Sequence, residues 1–412
     1  MHNWDTSPIV QILKEGTFIM KKLIIILLTA IVVLASFLFI HQTQSPVFKN
    51  VSNNDKKVEN TDIQAIDKTT VSYNSWLHTN GAKLENSKGE QIQLRGISSH
   101  GIEWFSDLIT YDNLATLKND WHINTFRIAM YSKSYIKDPT LYFDKVTNIV
   151  DMAIDLDMYV IVDWHILEDK NPQTYKEEAK QFFSQISQKY KNTPNIIYEI
   201  CNEPNGSNVT WDGQIKPYAE EIIPIIRYNA PNSLIIVGTP NWCKQLDQAA
   251  NNPLSFNNIV YACHFYSGSH KEELRNKINY CLQRDIPIFV SECGLTDATG
   301  NGNVYFDEFN TWINYLNNNN ISWIYWSFSN KDESSAVLKS DYTVKKITEY
   351  NEGQNIPYNE ISVETNQNNT EIKEINNDSN GQENISDNNE VSNINDYLTK
   401  SGDFIKGIFQ SY

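Results

Sequence analysis

From about residue 92 to residue 329, short runs of β-branched and aromatic residues alternate with longer segments whose apolar positions recur every three or four residues. The short runs are IQLRGISS (92–99), NTFRIAMY (124–131), YVIVDWH (159–165), NIIYEICNEP (195–204), LIIVGTP (234–240), NIVYACHFY (258–266), PIFVSECG (287–294) and SWIYWSFS (322–329). Their length and residue types predict buried strands. Helical spacing fills Thr147 to Leu156, Thr174 to Tyr190, Lys216 to Tyr228, Glu272 to Arg284 and Val304 to Leu316. Strands that alternate with helices form parallel sheets, and eight of them predict a closed (β/α)8 TIM barrel over residues 72–350, an interval that suits such a barrel. An open doubly wound sheet would want a glycine-rich phosphate turn after its first strand, and Gly96 and Gly101 do not form one.

The flanks read differently. Lys21 and Lys22 precede an unbroken apolar run from Leu23 to Ile40, the pattern of an export signal or signal-anchor over residues 1–40. Its length and the lack of a small-residue cleavage site favour the uncleaved anchor, and the preceding lysines place the rest of the chain outside the membrane. Met20 is a second candidate start. Residues 41–71 are polar and read as a linker. Residues 351–412 read as an Asn-rich acidic tail, mostly disordered. Its end, NDYLTKSGDFIKGIFQSY (395–412), regains apolar spacing that suits either a short docking helix or a frayed terminus.

Composition narrows the partners. The net charge of −16 in 412 residues, half of it carried by the tail, argues against nucleic acid and against anionic lipid surfaces. A neutral polymer is not repelled. Cys201, Cys243, Cys263, Cys281 and Cys293 show no metal-like spacing and read as small buried hydrophobes. Neither HExxH nor GxSxG occurs, so no metal, no cofactor and no serine nucleophile is expected.

The ends of the eight runs carry the candidate chemistry, because catalytic groups of such barrels project from the C-terminal ends of strands. They offer Ser98 to His100, Arg127, Tyr131, Asp163 to His165, Asn202, Glu203, His264, Tyr266, Glu292 and Trp326. Glu203 and Glu292 end the fourth and seventh runs and should meet across the barrel mouth, roughly 5 to 5.5 Å apart, the spacing of a retaining glycosidase. Arg127 and Tyr266 are expected to keep Glu292 ionised, and that charge to raise the pKa of Glu203.

Several segments carry a family resemblance: GISSHGIEWF (96–105), FRIAMY (126–131), VDWHIL (162–167), IYEICNEPNG (197–206), IKPYAEEIIPIIR (215–227), HFYSGSH (264–270), FVSECG (289–294) and WSFSNKDESSA (326–336). In this order, over roughly 72–338, they resemble glycoside hydrolase family 5, specifically the bacterial endo-β-1,4-glucanases. The resemblance implies Glu203 as proton donor and Glu292 as nucleophile, supported by Arg127, Asn202, His264 and Tyr266. It also implies sugar contacts from His100, Trp104, Tyr131, His165, Tyr266, Ala298 and Trp326, with Lys331 and Glu333 further out and Trp242 on the leaving-group side. Asn202 is expected to meet the sugar 2-hydroxyl.

Strand alternation turns Trp164 toward the helices and Cys293, where relatives usually carry Trp, away from the cleft. The expected protein is an extracellular, monomeric hydrolase of β-1,4-glucan, secreted or tethered to the outer face of the cytoplasmic membrane. A hydrolase of mannan, mixed-linkage glucan or xyloglucan is the nearest alternative, and a catalytically silent glycan-binding protein a more distant one.

Overall fold

The structure, a computed structural model, describes residues 66–344 and 393–412, which belong to one unit, Ala65–Tyr412. The apolar run Leu23–Ile40, most of the linker and the Asn-rich stretch 351–392 lie outside the described residues. Among the described residues no helix is long and apolar enough to cross a membrane.

An antiparallel hairpin, β1 (His78–Asn80) and β2 (Lys83–Glu85), precedes eight parallel strands. These are β3 (Arg95–Ser99), β4 (Thr125–Tyr131), β5 (Tyr159–His165), β6 (Ile196–Glu199), β7 (Ile235–Val237), β8 (Ile259–Tyr266), β9 (Ile288–Gly294) and β10 (Trp323–Phe328). They close into a barrel in sequence order, with β10 pairing β3, so the (β/α)8 expectation holds. The principal helices after successive strands are α1 (Tyr111–Asn119), α2 (Pro139–Asp155), α3 (Lys176–Lys189), α4 (Lys216–Asn229), α5 (Leu246–Asn251), α6 (Glu272–Leu282), α7 (Phe306–Asn318) and α8 (Lys400–Gln410). Local chemistry starts several of them: Thr110 and Asp138 accept hydrogen bonds from the first turns of α1 and α2, and Pro139 opens α2.

Alternation along the strands splits the core in two. One set of side chains faces the helices and includes Trp164, packed against Tyr135, Phe182 and Phe183, and Cys293. The other fills the barrel with Tyr159, Ile161, Ile197, Ile236, Val260, Phe289 and Ile324, and the hairpin's Leu84 with Leu77 and Leu94 joins this cluster at the N-terminal end of the barrel. All five cysteines are free and buried. Two expected strands are shorter than their apolar runs: β6 stops at Glu199 and β7 at Val237, and the chain beyond them turns into the loops that carry Glu203 and Trp242. The hairpin, α1 and α5 were not evident from apolar spacing, since they are short.

The domain boundary expected at residue 350 requires a correction. Residues 393–412 complete the barrel, as its eighth helix, the docked one of the two forms that the end of the tail allowed. Leu398 bridges to Leu338, Lys339 N–H donates to the Tyr397 carbonyl, and Thr399 N–H donates to the Val337 carbonyl. Thr399 also caps α8 through the Gly402 N–H. Gly402 passes so close to the backbone of the loop after β10 that a Cβ there would sit 2.2 Å from the Val337 oxygen. Ile394, Leu398, Ile405 and Phe409 are buried, and the Phe409 ring stacks on Trp323 with centroids 4.9 Å apart. Burial of Ile405 and Phe409 stabilises the docked helix by about 1.5–3 kcal/mol each. The catalytic fold therefore includes residues placed outside it by composition, because the polar average over 351–412 masks twenty amphipathic residues at its end.

Candidate active site

At the C-terminal ends of the strands a cleft of about 470 Å³ opens. Glu203 and Glu292 both line it, as do His100, Tyr131, His165, His264, Tyr266 and Trp326. Loops add Trp242, Ala298, Lys331 and Glu333. These are twelve of the fifteen residues expected from the sequence. Trp104 lies at the rim, 61% exposed, with its ring edge-on to His100 and Tyr131. Arg127 and Asn202 lie beneath the floor, almost fully buried.

Arg127 organises that floor. Its Nε donates to Glu199 Oε2 at 2.7 Å, Nη1 to Ser98 Oγ at 3.2 Å and to Glu292 Oε2 at 3.4 Å, and Nη2 to Asn202 Oδ1 at 2.6 Å. Nη2 also lies 3.0 Å from Asp163 Oδ2. The planar guanidinium can satisfy several acceptors at once, which a lysine could not. Asn202 turns its amide nitrogen to His165 Nε2 and to the Ile166 carbonyl. In the open cleft both amide hydrogens thus face protein acceptors. His165 in turn places Nδ1 2.6 Å from Asp163; burial and the neighbouring Arg127 push its pKa down to about 4, so it is neutral.

Glu292 receives the Tyr266 hydroxyl at 2.7 Å on one oxygen and Arg127 on the other, the two partners expected from the sequence. Burial and the charge of Glu203 nevertheless raise its pKa. For Glu203 the expected direction is reversed. Burial would raise its pKa, but the hydrogen bond with His264, Nδ1 to Oε1 at 2.9 Å, and the positive charges around it outweigh burial and lower it. Burial likewise opposes a charge on His264, yet Glu199, Glu203 and Glu292 hold its pKa up to about 9. The 2.9 Å hydrogen bond and these opposed shifts make Glu203 and His264 a pair between which a proton can be held.

The donor atoms of Glu203, His264 and Glu292 lie within 4.8 Å of one another. Both imidazole nitrogens are engaged, Nδ1 with Glu203 and Nε2 with Ser291 Oγ at 3.0 Å, which leaves no free imidazole lone pair for a cation and suits the group to proton traffic.

Aromatic rings shape the rest. Trp326 stacks on His165 at 5.5 Å and leans on His100 at 4.9 Å. Trp242 also lines the cleft, on a turn in which Asn241, Trp242 and Cys243 all have positive φ, at 58°, 55° and 58°. Such backbone is strained for residues with a Cβ. It is pinned by Trp242 N–H to the Pro204 carbonyl and by Cys243 Sγ to the Asn202 carbonyl. The wall is thus tied directly to the loop that carries Glu203.

Sequence reading missed the lining residues Leu167, Lys244, His270, Thr299 and Gly300, and the buried Glu199 and Ser291 below. Alternation offered a signal for the last two, since each lies two residues beyond an inward-facing apolar residue, Ile197 or Phe289.

Comparison with known proteins agrees with this architecture. The chain is 49% identical over 273 residues to an endoglucanase of Clostridium saccharobutylicum, covering 66% of this chain and 61% of the relative. It is 52% identical over 252 residues to endoglucanase A of Evansella cellulosilytica, covering 61% and 51%; the chain thus spans only about half to two thirds of the length of these relatives. Among solved structures, a variant catalytic domain of Thermobifida fusca endoglucanase Cel5A in complex with cellotetraose superposes with a TM-score of 0.67 at 30% identity, covering 82% of this chain and 99% of that domain. The family model for cellulase (glycosyl hydrolase family 5) matches residues 85–332, which is most of the barrel, and the chain belongs to that family.

Proposed function

We propose that this protein hydrolyses internal β-1,4 bonds of a glucan with retention of anomeric configuration. The observation that carries this reading is the approach of the Glu203 and Glu292 carboxylates to within 4.8 Å. That approach, measured between one oxygen of each, suits direct attack on the anomeric carbon as in a retaining enzyme. In the first step Glu292 attacks the anomeric carbon while the glycosidic bond breaks and the leaving oxygen takes the proton held by Glu203. In the second, Glu203 accepts a proton from water, whose oxygen displaces Glu292 and restores the β-anomer. Arg127 and Tyr266 orient the nucleophile, while Trp326 and Trp242 offer apolar faces for sugar rings.

The cellotetraose bound by the Thermobifida fusca relative supports a β-1,4-glucan as substrate. Export, by tether or by cleavage at the Leu23–Ile40 run, fits a polymer too large to enter a cell. Proton NMR of the first product from a soluble glucan should show the β-anomer before mutarotation. Initial release of the α-anomer would overturn the double displacement, and turnover of mannan but not glucan would reassign the substrate.

A further inference from the structure

Behind His264 lies a buried carboxylate that the proposed reaction does not use. Glu199, fully buried on β6, accepts the Ser291 hydroxyl at 2.6 Å, and Ser291 Oγ lies 3.0 Å from His264 Nε2. On the reading that Glu203 is the acid, we infer that Glu199, acting through Ser291, is a positioning residue that fixes the tautomer of His264 and thereby sets where the proton of Glu203 is held.

The hydrogen-bond inventory leaves one arrangement. Glu199 is ionised, because its pairing with Arg127 overcomes burial and pulls its pKa down to about 2, so it can only accept. Ser291 has one hydrogen and spends it on Glu199. Its remaining role toward His264 is acceptor, so Nε2 must carry a proton. In neutral His264 the other nitrogen, Nδ1, is then a bare acceptor aimed at Glu203, and a protonated Glu203 can donate to it. In the charged imidazolium the same nitrogen donates back to a Glu203 carboxylate. The proton moves along one 2.9 Å hydrogen bond with no ring flip. The opposite tautomer would leave Glu203 facing an N–H and able to act only as a carboxylate.

Other groups face this pair. From neighbouring strands come Arg127, Asp163, His165 and Glu292, and from the loop beyond β8 comes His270, pushed by burial and by Lys244 down to about 4 and so neutral. Tyr266, Tyr131 and Cys243 lie close and stay neutral, their pKa values raised by burial. Among them only the Ser291–Glu199 branch bonds to Nε2. Arg127 shares Glu199, which tempers the pull of that carboxylate on the imidazole proton.

The test uses the full chain and its kcat/KM against pH. The His264 pKa is raised, so the pair keeps its last proton until pH passes that raised value. Removing the acceptor behind Nε2 should release it at lower pH. Ser291→Ala should therefore move the alkaline limb down by at least about one pH unit, whereas Ser291→Thr, which retains the hydroxyl, should keep the limb in place. A Ser291→Ala enzyme slower at every pH but with an unmoved limb would overturn the inference. Should that variant not fold, the wild type decides: ¹⁵N NMR of histidine-labelled protein should report Nε2 as the protonated nitrogen of neutral His264, and an Nδ1–H tautomer would refute it. Inactivity of the wild type on every β-glucan would sink the proposed hydrolysis yet leave the tautomer measurement standing.

Discussion

Two residues along a strand separate two unlike interiors. On β5, β6 and β9, Ile161, Ile197 and Phe289 pack with other apolar side chains inside the barrel. The next inward positions on the same strands, Asp163, Glu199 and Ser291, are just as inaccessible yet hold two carboxylates and a hydroxyl. The apolar level gains stability from each area removed from water, without regard to direction. The polar level holds together only because Arg127 answers Asp163, Glu199 and Glu292 in one plane. Buried charges seldom stabilise a fold relative to apolar packing. The difference teaches that the lower interior makes the barrel and the upper interior uses it, at some expense in stability.

The sharpest way to separate the two levels is Glu292→Gln. Turnover of glucan should fall at least about a thousandfold, roughly 4 kcal/mol of transition-state stabilisation. Melting temperature should stay level or rise, because burial already works against a charge at this position. A melting temperature several degrees lower would mean that Glu292 holds the fold as well as the chemistry. Arg127→Met should break the contrast, since it strands three carboxylates at once: denaturant unfolding should show a loss of about 3–5 kcal/mol, with activity lost beside it. A stable, inactive Arg127→Met protein would show that the carboxylates simply take up protons. Ile161→Ala, in the lower level, should cost about 2–4 kcal/mol of stability and leave kcat per folded molecule unchanged. A large fall in kcat with unchanged unfolding would show that the two levels are mechanically coupled.

The lower level and the cleft were legible in the sequence for different reasons. Runs such as YVIVDWH announce β5 over its whole length, Tyr159–His165, because a strand covered on both faces is apolar along most of its length. Glu203 and Glu292 stand out because carboxylates after such runs are costly unless they serve a purpose. Glu199 is equally costly but sits within its run, IIYE, where it was read as part of a strand. The proton balance between Glu203 and His264 was not legible either, since it depends on Ser291 and Glu199, which converge on His264 from β9 and β6. Whether the C-terminal segment docks as helix α8 or frays was left open by the sequence, because forty-eight residues, 345–392, part the segment 393–412 from the loop after β10.

That separation gives the molecule a hidden seam. Cutting the chain anywhere within 345–392 would leave the first seven βα units, β10 and its loop as one piece and α8 as another, held together by non-covalent contacts such as the Leu338–Leu398 bridge, the Phe409–Trp323 stack and the Ser401–Ser334 hydrogen bond. While the chain is continuous, docking of α8 is intramolecular and does not depend on protein concentration. Once cut, the barrel becomes a bimolecular complex whose integrity depends on dilution, and a peptide of residues 393–412 supplied in trans becomes a means of switching it back on.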